Sequence, residues 1–72
     1  MSKLEQLKQH FENENFIVFE VFTNGRYAIY EGVTKVEGSK VTAWRKGQRK
    51  DLDKLVTLDF SKYTEDRIEL MM

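Results

Sequence analysis

The chain is 72 residues long, has no cysteine, no proline and one histidine, and balances 12 basic against 12 acidic residues. That length predicts a single domain over residues 1–72, burying only about 60% of the surface its unfolded form exposes, with neither disulfide nor zinc to reinforce a thin core. Its longest apolar-leaning stretch, Phe16 to Phe22, is interrupted by Glu20, well short of the roughly 18 apolar residues that a membrane span needs, so the composition predicts a cytoplasmic protein.

The charges are unevenly placed. Residues 1–34 hold three basic and five acidic residues, residues 35–54 hold seven basic and three acidic, and residues 55–72 hold two basic and four acidic. A neutral chain with one basic segment can still bind a polyanion, because counterion release depends on where the charges sit. The same segment also reads as an ordinary solvated hairpin.

Ser2-Lys3-Leu4-Glu5 has the form of a capping box, in which the serine hydroxyl accepts from the Glu5 amide. A helix over residues 3–14 follows, with Leu4, Leu7 and Phe11 forming one apolar stripe and Asn13-Glu14-Asn15 supplying the stop. His10, near its end, reads as a surface side chain. Phe16–Thr23 is dense in β-branched and aromatic residues and predicts the first strand. Asn24-Gly25 suits a type I′ turn, since both central positions need positive φ. The return strand, Arg26–Glu37, loses its alternation at Glu31-Gly32, where glycine permits a bulge or bend.

Gly38-Ser39 then turns the chain into a third strand, Lys40–Trp44, and Lys46-Gly47 turns it into a fourth, Arg49–Val56. The break in period near Asp53-Lys54 marks a corner into a short fifth strand, Thr57–Phe60. Residues 16–60 thus read as a five-stranded meander. The tail, residues 61–72, is undecided: Thr64-Glu65-Asp66 suits a helical turn, whereas Arg67-Ile68-Glu69-Leu70 alternates as a strand does.

This layout resembles the Sm/LSm family, in the form of its bacterial RNA-chaperone members, over Leu4 to Phe60. Asn24-Gly25 stands where the family places its first hairpin turn, Gly32 where it bends its second strand, and Gly38 with Val41-Thr42 follow at similar spacing. The resemblance departs at Gly38 and Thr42, which stand in place of an acidic residue and an asparagine, and at Lys40, where many members carry a base-stacking aromatic. Near Leu52-Asp53-Lys54 one cation replaces a Tyr-Lys-His stretch. The resemblance implies a mainly β fold with an N-terminal α-helix, a small five-stranded antiparallel SH3-like or Sm-like open barrel. It also implies a homo-oligomeric ring, closed by pairing the fourth strand of one subunit with the fifth of the next. Physics points the same way, because a marginal core with open sheet edges is completed by strand addition between copies.

The resulting expectation is a non-enzymatic ring that binds RNA or single-stranded nucleic acid, in RNA or DNA processing, with no cofactor and no metal. Lys40, Arg45, Lys46, Arg49, Lys50 and Lys54 are the candidate phosphate contacts. Trp44, with Tyr27 or Tyr30, is the candidate stacking surface, since stacking of bases on aromatic rings is sequence-tolerant. Trp44 has a second reading as the largest side chain of the core. Tyr27 and Tyr30 point to opposite faces of one strand. The carboxylates Asp51 and Asp53 lack a neighbouring histidine, cysteine or glycine-rich phosphate loop and read as charge balance for Lys50 and Lys54, not as catalysts. The alternative function is a small SH3-like protein-interaction module of phage or mobile-element origin, which the acidic helix and tail, with Glu12, Glu14, Glu65, Asp66 and Glu69, would favour.

Overall fold

A computed structural model describes residues 2–47 and 53–71. The helix forms as its signals predict: the Ser2 hydroxyl accepts from the Glu5 amide at 3.1 Å, and helix α1 spans Lys3–Glu12. It stops two residues before the expected end. The Asn13 amide donates to the Gln9 carbonyl and the Asn15 amide to that of His10, while Glu14 between them takes φ +59° and turns the chain away.

Five strands follow: β1 (Val18–Thr23), β2 (Arg26–Glu37), β3 (Lys40–Arg45), β4 (Lys54–Asp59) and β5 (Ile68–Leu70). They form one antiparallel sheet in the order β4-β3-β2-β1-β5, which is not closed into a barrel. Asn24 (φ +50°) and Gly25 (φ +76°) make the hairpin turn between β1 and β2. In β2 the expected bend falls at Gly32. There the chain takes four steps from Glu31 to Lys35 while β3 takes two from Trp44 to Thr42, and Gly32 sits at φ +65°. Such an insertion bends and twists its strand.

The expected corner at Asp53-Lys54 is not where the chain turns. Lys54 to Asp59 run as one strand, in unbroken register with Arg45 to Lys40, and the Thr42 and Thr57 hydroxyls meet across it at 2.9 Å. Thr57–Asp59, assigned to a fifth strand from sequence, is therefore the second half of β4. The chain turns at Asp59 instead, whose carboxylate accepts from the Ser61 amide at 3.0 Å and starts a 3-10 turn over Phe60–Lys62. The tail resolves both of its readings at once: Glu65–Arg67 is a 3-10 turn and Ile68–Leu70 is the true fifth strand, paired with β1 at Phe19, Glu20 and Val21. The expected start of the fourth strand, from Arg49 to Leu52, lies outside the described residues.

Strand alternation sends one set of side chains inward. Leu7 of α1, Ile17, Phe19 and Val21 around β1, Tyr30 of β2, Val41 and Ala43 of β3, Phe60 and Ile68 form the buried core. Phe19 is its centre, stacked on Tyr30 at 5.1 Å and edge-on to Phe60 at 5.5 Å between ring centroids. Helix α1 packs on β5 and β2, and its first amide, on Lys3, donates to the Glu65 carboxylate at 2.8 Å. One residue of the tail thus anchors the start of the chain.

Candidate nucleic-acid interface

The opposite face of the sheet carries the alternate residues, and the cross-strand register sets their order. One row across it reads Val18, Glu31, Trp44, Leu55, and a second reads Phe22, Tyr27. Trp44 is therefore not core. Its side chain lies on this outer face, 42% exposed, beside Leu55 at 50%, while Tyr27, at 64%, stands four residues along β2 from Glu31. Tyr30, one step out of phase, is buried instead. Burial raises its phenol pKa, and the nearby Arg45 guanidinium partly offsets that rise.

Gly32 seats the indole. A Cβ at this position would lie 3.3 Å from Trp44 Cδ1, so the bend that the sequence signals also makes room for the ring.

The candidate cations separate into two groups. Arg45, Lys46 and Lys54 line one open concavity of about 650 Å³ together with Tyr27, Ala28, Ile29 and Gly47. Arg45 and Lys54 face each other directly across β3 and β4, and like charges so placed destabilise a sheet by a few tenths of a kcal/mol. Neither makes an ion pair among the described residues. Lys40 stands at the other end of β3, roughly 17 Å away at strand rise, opposite Glu37 and Asp59. It lines a second concavity with Thr57, Asp59, Lys62 and Tyr63. The structure does not bring Lys40 together with the rest. Arg49 and Lys50 lie outside the described residues.

Lys46 is committed within the chain. Its ammonium meets the Glu31 carboxylate and the Asp53 carboxylate, each at 3.0 Å, and both hydrogen bonds raise its pKa, Asp53 more strongly. Asp53 also accepts from the Gly47 amide at 2.9 Å. The role expected for Asp53, balancing the charge of Lys54, is thus filled toward Lys46 instead. Sequence reasoning missed this triad, because cross-strand proximity alone brings Glu31 of β2 beside a lysine 15 positions later, past the end of β3. It also missed the Asp59 cluster at the far end. There the carboxylate accepts from the Ser61 hydroxyl (2.6 Å), the Ser39 hydroxyl (2.8 Å) and the Ser61 amide, which together lower its pKa to about 2.

No group of three or more histidine, cysteine or carboxylate side chains that could hold a metal ion occurs among the described residues, nor any helix long and apolar enough to cross a membrane. Comparison with protein-family models, with curated proteins and with solved structures finds no match for this chain.

Proposed function

We propose that this protein binds RNA or single-stranded nucleic acid without catalysing a reaction, as an Sm-like homo-oligomeric ring. The observation that carries the reading is the facing pair Arg45 and Lys54, two cations without a carboxylate partner among the described residues, opening with exposed Tyr27 onto one concavity. A phosphate between them relieves their mutual repulsion. Tyr27 offers a ring beside this pair, and Trp44 offers a second on the outer face, one step out of phase with Arg45; a base stacked on either is worth about 1–3 kcal/mol. Lys40, at the far end of β3 and opposite Glu37 and Asp59, lies apart from this pair.

The sheet order supports assembly between copies. β4 and β5 are its two edges, each presenting backbone donors and acceptors along its outer side, and proline is absent from both. Pairing β5 of one copy with part of the longer β4 of the next covers both edges in part, and cyclic closure repeats that pairing around the ring. Repetition around the ring then multiplies weak phosphate contacts.

The second reading, an SH3-like protein-interaction module, rests on the exposed apolar side chains Tyr27, Trp44 and Leu55, which suit a peptide as well as bases. Binding of a labelled single-stranded RNA, followed by fluorescence anisotropy against salt, separates the two. Affinity should fall steeply with salt, and Arg45→Ala or Lys54→Ala should each weaken binding and flatten the log–log salt slope by about 0.7. A duplex of the same length should bind less well. Absence of binding at low salt removes the nucleic-acid reading, and a monomeric native mass removes the ring.

A further inference from the structure

Within the row Val18, Glu31, Trp44, Leu55, Glu31 is the one charged side chain, and it stands directly opposite the indole. The Lys46 ammonium holds its Oε1 at 3.0 Å. A carboxylate offers about four acceptor positions, so that single ion pair leaves Oε2 and a second lone pair of Oε1 able to accept. The indole lies close over Gly32, where an added Cβ would stand 3.3 Å from its Cδ1. A stacking ring and an oriented acceptor therefore sit side by side on an exposed face.

From this arrangement we infer that Glu31 is a base-selecting residue, accepting from the Watson–Crick edge of a guanine stacked on Trp44. The inference rests on the nucleic-acid reading above and adds to it the identity of the base. Unpaired bases are read in this way, by stacking on aromatic rings together with hydrogen bonds along their edges. An ionised carboxylate only accepts. Guanine alone among the four bases presents two adjacent donors on that edge, N1–H and the N2 amino group, which match the two oxygens. Adenine and cytosine each pair one amino donor with a ring nitrogen acceptor, and uracil flanks its single N3–H with two carbonyl oxygens. In each of those cases an acceptor faces the carboxylate.

Lys46 contributes as a positioning residue, since its contacts to Glu31 and Asp53 fix the carboxylate beside the ring. The plain alternative for Glu31 is a half-exposed ion pair, which in general adds at most about 1 kcal/mol to stability and distinguishes no base from another.

Trp44 is the sole tryptophan, so its fluorescence reports a base stacked at this point. The full chain is titrated with uridine heptamers carrying guanosine, inosine or uridine at the centre. The guanosine heptamer should bind and quench about five- to tenfold more tightly than the uridine one, the lower part of the range for a two-bond base contact. Inosine, which lacks only the N2 amino group, should lose most of that advantage in the unmodified protein. Glu31→Gln should bring the guanosine-to-uridine ratio close to one, whereas a merely structural role would weaken all three heptamers alike. Equal affinity for the three heptamers, or a ratio unchanged in Glu31→Gln, overturns the inference while leaving the nucleic-acid reading in place. If no heptamer binds at low salt, that reading has itself failed, and this inference with it.

Discussion

Replacing Gly32 with alanine tests the structural basis of the proposed stacking surface. The residue sits at φ +65°, and a left-handed conformation costs an L-residue about 1–2 kcal/mol. Its new Cβ would also meet Trp44 Cδ1 at 3.3 Å, tight enough that the ring must yield by a few tenths of an ångström, and crowding of this kind adds on the order of 1 kcal/mol. Gly38→Ala supplies the control. It carries a similar φ, +58°, with no atom within 4 Å of the added carbon, so it incurs the backbone cost alone. Gly32→Ala should therefore lose about 2–3 kcal/mol and Gly38→Ala about 1–2 kcal/mol, a separation of several degrees in Tm for a domain this small. Urea unfolding followed by far-ultraviolet circular dichroism measures both, and Trp44 emission should shift only in Gly32→Ala. Equal losses with unchanged emission would show that the indole does not rest on Gly32. A loss below about 0.5 kcal/mol in both variants would refute the assignment of strained backbone at either position.

Leu7, fully buried, is the one core side chain that α1 supplies, so Leu7→Ala should cost about 2–5 kcal/mol; a loss under 1 kcal/mol in the urea midpoint would mean that the helix does not seal the core. Asp59, lowered from 3.8 to about 2 by the Ser61 and Ser39 hydroxyls and the Ser61 amide, favours its charged form in the folded state. Its contribution is therefore complete above about pH 4 and is lost as pH falls toward 2. Asp59→Asn should flatten that part of the stability profile and leave the profile above pH 5 parallel to that of the parent; an unchanged acid limb would contradict the cluster. Ser2→Ala and Glu65→Ala each remove an acceptor from the first turn of α1 and should each lower stability by roughly 1 kcal/mol, with near-additive effects in the double variant if the two act independently.

Much of the fold was legible because its signals are local. Ser2 and Glu5 mark a helix start within one turn, Asn24-Gly25 demands a hairpin whatever lies around it, and Gly32 announces a bend through a φ that other residues avoid. The fifth strand was not legible in this way. Arg67–Leu70 alternates as a strand does, but so short a run left a helical turn equally open, and Ile68–Leu70 become a strand because the edge of β1 is there to receive them. The continuity of β4 through Lys54 and Leu55 was hidden for the same reason: pairing with β3 overrides a weak period.

The candidate surface divides similarly. Chain order was enough to nominate Arg45, Lys46 and Lys54, because they cluster along one basic segment. Whether each cation is open or already paired depends on partners distant in sequence. Lys46 finds Glu31 across the β2–β3 ladder, Arg45 meets Lys54 across the next one, and Trp44 faces outward because Val41 and Ala43, on the alternate phase of the same strand, fill the core. By itself the sequence determined the start of the helix, the Asn24-Gly25 turn, the bend at Gly32 and the local excess of positive charge over residues 35–54, all set within short stretches of chain. Tertiary structure alone decided which side chains share a face and which charges cancel, because sheet register couples residues that no local rule connects.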